Sequence, residues 1–234
     1  MGEQRVRRVL CAADPRGSEE ALRRLMDAAE SHDVQAVAVV GGLSGDSDAT
    51  HGYRTVFKAL GKAGRTAYWV PGPTDAPVGE YLREAHNIEV VFPFLHGVHG
   101  TAALSPDQHV IFAGYGGEIL DDPEAPRDEI ERLRYPRWEA EYRLKLLREF
   151  SELQLVLLFA THPAHKGLGT RGSEALAELI GTYRPRLVVC GGERGTEMIG
   201  RSLIVAPGSV SEGHYAVADL LEHEVRQQEL TAAA

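Results

Sequence analysis

Side chains that can ligate metals, exchange protons or bind anions occur just after four segments with the composition of buried β-strands. These segments are residues 6–13, 66–70, 155–160 and 187–190. When parallel strands end at one edge of a sheet, their turns form a crevice, which is where open α/β folds bind ligands. Carboxylates and imidazoles there suit acid–base chemistry or metal binding, and guanidinium groups suit phosphate binding. The candidate residues are Asp14, Arg16, Thr74, Asp75, His162, His165, Lys166, Glu193 and Arg194.

The first half of the sequence alternates predicted strands with predicted helices. The strands cover residues 6–13, 35–40 and 66–70, and the helices begin near Ser18, Tyr53 and Val78. This β-α-β-α-β-α order predicts parallel strands joined by right-handed crossovers. The turn Gly41-Gly42 follows the second strand, so we expect it at the same sheet edge as the candidate residues.

The second half predicts more strands, some of them antiparallel. Residues 88–92, 97–104 and 109–115 are strand-like and separated by short polar turns, which is typical of an antiparallel meander. Further strands (155–160, 187–190) alternate with helices (138–150, 173–183), and we expect a frayed tail from about residue 225. This many strands favours one domain, residues 1–234, built as a four-layer αββα sandwich of two mixed β-sheets flanked by helices.

Composition limits the classes of partner. The chain has 234 residues, 43% of them hydrophobic, and a formal net charge of −9, which argues against a nucleic-acid partner because phosphate contacts need a basic surface. No apolar run approaches the roughly 18–20 residues that cross a bilayer, so we expect no membrane partner. Two cysteines, Cys11 and Cys190, make no disulfide framework, and we expect a cytoplasmic protein in which both are small buried hydrophobic residues.

The order of these turns resembles the calcineurin-like metallophosphoesterase superfamily. Its members carry the motifs D-x-H, G-D, G-N-H-[DE], a lone histidine, G-H-x-H and often P-G-S on strand-end turns, around a two-metal site. The corresponding stretches here are Asp14-Pro15-Arg16, Gly41-Gly42, Gly72-Pro73-Thr74-Asp75, His162, Gly191-Gly192-Glu193-Arg194 and Pro207-Gly208-Ser209. The resemblance covers almost the whole chain and implies the αββα fold and phosphoester chemistry.

The resemblance also implies that most metal ligands are missing. Asp14 and His162 match ligand positions, whereas Gly42 stands at the position of the bridging aspartate. The other substitutions at matching positions are Arg16, Pro73, Thr74, Gly192 and Arg194. A two-metal hydrolase needs a shared carboxylate between its ions, which glycine cannot supply. We therefore expect a degenerate site without the usual metal pair, in which Asp14, His162 and Asp75 are the catalytic candidates and Asp14 and His162 the metal-ligand candidates.

Several hypotheses about the crevice remain open. Arg16, Arg194, His162, His165 and Lys166 favour a small phosphorylated or anionic ligand, with Thr74 and Glu193 beside it. Alternatively, Arg16 and Arg194 pair with Asp14, Asp75 or Glu193 and simply fill a dead site.

A third hypothesis is residual phosphoester hydrolysis with one divalent ion (Mn, Zn or Fe) on Asp14, His162 and Asp75, with His165 or Glu193 as a further ligand. Asp46 and Asp48, a few residues after Gly42, are weak replacements for the missing bridging carboxylate, because their loop would have to reorganise. A fourth is a scaffold without ligand chemistry. The aromatic and arginine-rich residues 134–142 then form an interface, in a homo-oligomer for example, although they equally suit a helix N-terminus packed on a sheet.

Overall fold

The computed structural model describes residues 5–45, 49–165, 167–169 and 172–230. These residues form two six-stranded sheets, one small two-stranded sheet and five α-helices. The element order begins as predicted, with strand, helix, strand, helix, strand and helix.

The first sheet holds the three N-terminal strands. In chain order its members are β1 (Arg8–Ala13), β2 (Ala36–Val40), β3 (Thr66–Val70), β4 (Leu95–Gly97), β13 (His214–Asp219) and β14 (Glu224–Glu229). Their spatial order is β14-β13-β1-β2-β3-β4, with β1, β2, β3 and β4 parallel to one another. The register pairs Ala13 with Val40 and Val40 with Val70, so the turns after these three strands lie side by side.

The second sheet is also mixed. Its members are β5 (Ala102–Leu104), β6 (Val110–Tyr115), β9 (Gln154–Phe159), β10 (Leu187–Cys190), β11 (Gly195–Ile199) and β12 (Ser202–Ala206), in the spatial order β11-β12-β10-β9-β6-β5. Strands β6, β9, β10 and β12 are parallel. The two-stranded sheet consists of β7 (Glu118–Leu120) and β8 (Arg134–Pro136).

Helices cover the outer face of each sheet. Helices α1 (Glu19–Ser31), α2 (Ala49–Lys62) and α3 (Val78–Val91) pack on the first sheet, through residues such as Leu25, Phe57 and Tyr81. Helices α4 (Arg137–Leu144) and α5 (Glu174–Tyr183) pack on the second, and α4 continues into a 3-10 turn at Lys145–Phe150. A separate apolar core lies between the sheets, with Tyr68 stacked on Phe112 at 3.7 Å between ring centroids. This is the αββα sandwich that the sequence predicts.

Three local predictions are wrong. Residues 88–92, predicted as a strand, are mainly the last turns of α3, where Val90 and Val91 are exposed. The predicted antiparallel meander is wrong in its first part, because β4 joins the first sheet parallel to β3; in its second part β5 pairs antiparallel with β6 as predicted. The tail predicted to be frayed contains β14, which pairs along its whole length with β13.

Two other predictions concern side-chain burial. Cys11 and Cys190 are fully buried free thiols, as predicted, and burial raises the pKa of Cys190 to about 12, which disfavours a thiolate nucleophile. In the aromatic stretch, Tyr135 is buried, whereas Trp138 and Tyr142 are about half exposed on α4. No α-helix within the described ranges is both long and apolar enough to cross a bilayer.

Candidate functional site

The turns after several strands of both sheets meet at one point, around Gly41. A Cβ atom built on Gly41 would lie 3.4 Å from Asp14 Oδ1, 3.5 Å from Gly72 Cα and 3.6 Å from Ala160 Cβ. Gly41 follows β2, Asp14 follows β1, Gly72 follows β3 and Ala160 follows β9. The crevice that the sequence predicts at the carboxyl ends of the strands is therefore formed by turns from both sheets.

Asp14 lies in this crevice in a left-handed backbone conformation, with φ of 48°. Its backbone N–H donates to Val40 O at 3.3 Å, and Ser209 Oγ donates to Asp14 O at 3.2 Å. Burial raises the pKa of the Asp14 carboxyl, Arg16 opposes that rise, and the negative charges of Asp75 and Glu212 add to it. Protonation of Asp14 therefore needs less acid than protonation of an exposed aspartate.

At Gly42, where the resemblance places a bridging aspartate, the backbones of neighbouring turns leave no room for a side chain. Gly42 has φ of 52°, and a Cβ atom there would lie 2.8 Å from Asp14 Cα and even closer to Asp14 Oδ1. A Cβ atom on Gly72 would lie 2.7 Å from Gly42 N. The turns after β1, β2 and β3 are thus in direct contact, and no side chain at residue 42 fits without moving them.

The position of Asp75 differs from that expected of a catalytic or metal-binding residue. The side chain is fully buried and accepts four hydrogen bonds. Oδ1 accepts from Ser44 N and Ser44 Oγ, both at 2.8 Å, and Oδ2 accepts from Gly72 N at 2.6 Å and Leu43 N at 3.0 Å. Because these donors occupy the lone pairs of both oxygens, Asp75 is a clamp between the turns after β2 and β3.

His162 borders a gap on the other side of the crevice. Its Nε2 atom is buried and has no hydrogen-bond partner among the described residues. A Cβ atom on Gly169 would lie 3.6 Å from His162 Nε2 and 3.9 Å from Glu193 Oε2, so both side chains face the same space. Burial lowers the pKa of His162, and Glu193 partly opposes this shift, so the neutral imidazole is favoured.

The two arginines that the sequence places at the crevice separate in the structure. Arg16 is exposed and close enough to Asp14 to affect its pKa. Arg194 turns to β14 instead: its Nη1 contacts Glu229 Oε1 at 3.1 Å and its Nη2 donates to Gln228 O at 3.0 Å. The hypothesis that Arg194 pairs with Asp14, Asp75 or Glu193 is wrong, because the polar edge strand β14 offers it other acceptors. The same contacts do not favour a role of Arg194 in ligand binding, which stays a prediction.

Three of the remaining predicted residues are described, and each is at least partly exposed. Thr74 and Glu193 are exposed. His165 is half-buried, with its Nδ1 3.8 Å from Glu197 Oε2. Lys166, Asp46 and Asp48 fall outside the described residues. Sequence reasoning missed Ser44, which shares the Asp75 clamp, and Glu212, which lies close enough to Asp14 to raise its pKa. Glu212 follows the Pro207-Gly208-Ser209 turn by three residues, and that turn is the signal that could have pointed to it.

These residues do not fit a pair of divalent ions. Among the described residues no group of three or more His, Cys, Asp or Glu side chains is arranged to hold a metal ion. The physical reasons are visible: Gly42 leaves no room for a shared carboxylate, and the oxygens of Asp75 are occupied by Ser44, Gly72 and Leu43. Of the residues predicted as metal ligands from the family motifs, Asp14 and His162 both lie in the crevice.

The fold and crevice together define an α/β protein of the metallophosphoesterase type. A family model described as metallophosphoesterase, calcineurin superfamily, matches residues 45–230, and the chain belongs to this family. It is similar to TT1561 of Thermus thermophilus, with 40% identity, a TM-score of 0.90, and coverage of 97% of this chain and 100% of that chain.

More distant structures share the fold alone. One is a dimetal phosphatase from Danio rerio, with 13% identity, a TM-score of 0.63, and coverage of 97% of this chain and 100% of that one. Another is an archaeal phosphodiesterase, with 11% identity, a TM-score of 0.56, and coverage of 95% of this chain and 99% of that one. A comparison with curated proteins gives no match.

Proposed function

We propose that this chain binds a small phosphorylated ligand in the crevice through protein groups rather than through a pair of metal ions. The observation that carries the proposal is the buried, unpartnered Nε2 of His162 among the described residues. A buried polar atom without a partner is costly, so a ligand or water that bonds to it is favoured there. Because the neutral imidazole is favoured, Nε2 can donate one hydrogen bond to a phosphate oxygen.

Arg16 supplies the positive charge. Its guanidinium is exposed next to Asp14, and a planar guanidinium can bind two phosphate oxygens at once. The Arg16 backbone is fixed by its own N–H, which donates to Gly42 O at 2.7 Å. The side chain therefore starts from a defined position at the mouth of the crevice.

The acidic neighbours make binding sensitive to pH. Asp14 already has a raised pKa, and a phosphate beside it raises that pKa further, so binding takes up a proton. His162, whose pKa is lowered by burial, also gains from protonation when an anion lies beside it. We therefore expect affinity to increase as the pH falls below about 6.5, the ordinary pKa of histidine.

Calorimetric titration with inorganic phosphate, a nucleoside monophosphate and a sugar phosphate tests the proposal. Arg16→Ala and His162→Gln should each weaken binding by about tenfold, equivalent to about 1.4 kcal/mol. Arg201→Ala is the matched control, since Arg201 is exposed in the turn between β11 and β12. The proposal fails if the unmodified protein binds none of these probes, or if the control variant weakens binding equally.

Residual hydrolysis with a single metal ion is distinguished by two further measurements. Elemental analysis of protein purified without chelator measures bound Mn, Zn or Fe, and generic phosphomonoesters and phosphodiesters report turnover. Turnover that Asp14→Ala and His162→Ala both abolish, together with about one equivalent of metal, would replace the binding proposal by hydrolysis.

A further inference from the structure

Helices α1 and α2 form an open groove on the outer face of the first sheet. The groove has a volume of about 780 Å³, and Met26, Ala59 and Ala63 are the small or flexible apolar residues in it. Both helices cross from one parallel strand to the next, so they run parallel to each other. The groove lies on the face of the helices that the sheet does not cover.

The two walls of the groove carry opposite charges. Helix α1 contributes the acidic wall, with Glu19, Asp27 and Glu30. Helix α2 and the residues after it contribute the basic wall, with Lys58, Lys62 and Arg65. Arg23 is the exception on the acidic wall, where its Nη1 lies 3.3 Å from Asp27 Oδ2.

A two-fold axis that runs parallel to the groove, between two facing copies, brings these walls together. Rotation by half a turn about it places α1 of one copy over α2 of the other, with the two helices parallel. Glu30 at the end of α1 then faces the end of α2, where Lys62 lies, and Asp27 one turn earlier faces Lys58. Glu19 faces the N-terminus of α2 and Lys62 the C-terminus of α1, an arrangement that the helix dipoles favour.

We propose that the α1–α2 groove is the interface of a symmetric dimer of this chain. An isologous interface needs a self-complementary surface, and one acidic wall beside one basic wall meets that requirement. The crevice at the carboxyl ends of the strands does not contribute to this surface, so the dimer and the ligand site are independent.

The size of the surface indicates a weak dimer. Helices of 13 and 14 residues are each about 20 Å long, and packed helices lie about 8–10 Å apart. A patch of this length and roughly 20 Å width buries about 800 Å² in total from the two copies, below the roughly 1,200–2,000 Å² of standard specific interfaces. We expect dissociation on dilution, and also at high salt because the contacts are charged.

Sedimentation equilibrium over a range of protein and salt concentrations tests the proposal. Reversing the basic wall with Lys58→Glu and Lys62→Glu places acidic walls against each other and should weaken the dimer by at least about tenfold, as expected for like charges brought face to face. Arg148→Glu and Arg201→Glu make the same change of charge at exposed residues outside the groove and should leave the dimer intact.

A charge swap gives a second, stricter readout. Adding Asp27→Lys and Glu30→Lys to the two lysine changes exchanges the facing charges, so the fourfold variant should dimerise again with itself. Thermal unfolding of each variant checks that the helices remain folded. A monomer at every concentration of the unmodified chain, a dimer insensitive to the lysine changes, or equal loss in the control variant overturns the proposal.

Discussion

The carboxylate of Asp75 accepts two hydrogen bonds from Ser44, one from its backbone N and one from its Oγ, both at 2.8 Å. Two more backbone donors, Gly72 N and Leu43 N, complete the four hydrogen bonds that the Asp75 carboxylate accepts. An acidic residue that the sequence places at a catalytic position thus connects two turns of the crevice. The shape of the crevice depends on this clamp.

Asp75→Ala should destabilise the fold by about 3 kcal/mol or more, because it leaves several buried donors without an acceptor. Thr74→Ala is the matched control, since the neighbouring Thr74 is exposed and should change stability by less than about 0.5 kcal/mol. Urea unfolding of both variants measures the difference. Similar stabilities of the two variants would show that the four hydrogen bonds do not hold the turns together.

Restoring an acidic residue with Gly42→Asp should not restore a metal pair, because the side chain meets Asp14. The chain should lose stability and bind less than one equivalent of Mn²⁺.

Gly64→Ala is a control that separates the cost of left-handed backbone strain from the cost of crowding at residue 42. Gly64 has φ of 64° and nothing within 4 Å of an added Cβ atom.

We expect Gly64→Ala to cost about 1–2 kcal/mol from left-handed strain alone. Gly42→Ala should cost at least about 1 kcal/mol more through overpacking. Equal costs at the two positions, or a folded Gly42→Asp chain with two bound ions, would contradict the packing described for the turns after β1 and β2.

Asp14→Asn should stabilise the protein at neutral pH. The folded-state pKa of Asp14 is raised, so the folded chain binds its proton more tightly than the unfolded chain, and ionisation of Asp14 lowers stability as the pH rises. Asparagine removes that cost, and the gain should disappear below about pH 3.5, where Asp14 is protonated in both states. Unfolding free energies measured at several pH values test this.

Asp33→Asn is the control for that experiment, because Asp33 is exposed and has a similar φ of 49°. Any backbone preference of asparagine for the left-handed region acts on both variants. A stability gain that does not depend on pH, or one that the control shares, would refute the assignment to Asp14.

Arg194→Ala should lower stability by about 1 kcal/mol without weakening phosphate binding, because Arg194 bonds to β14 and not to the crevice. Urea unfolding and calorimetric titration of one preparation give both quantities. Loss of phosphate binding with unchanged stability would instead return Arg194 to the ligand site.

The sequence by itself determined the architecture. Hydrophobic strands that alternate with helices, and end in Pro/Gly turns, specify parallel strands and one crevice at their carboxyl ends, because these signals are local. Burial of Cys11 and Cys190 followed from their apolar strands in the same way. That residue 42 cannot supply a shared metal ligand follows from the sequence alone, because glycine has no side chain.

Tertiary structure alone decided what the polar side chains do. Asp75 is a clamp because Leu43 and Ser44, more than 30 residues earlier in the sequence, donate hydrogen bonds to it. Arg194 turns away from the crevice because β14 lies beside the turn that carries it and offers it acceptors. The end of α3 contains exposed Val90 and Val91, whose β-branched side chains favour a strand until the helix and its packing are known. Such outcomes depend on partners distant in sequence, and no local pattern encodes them.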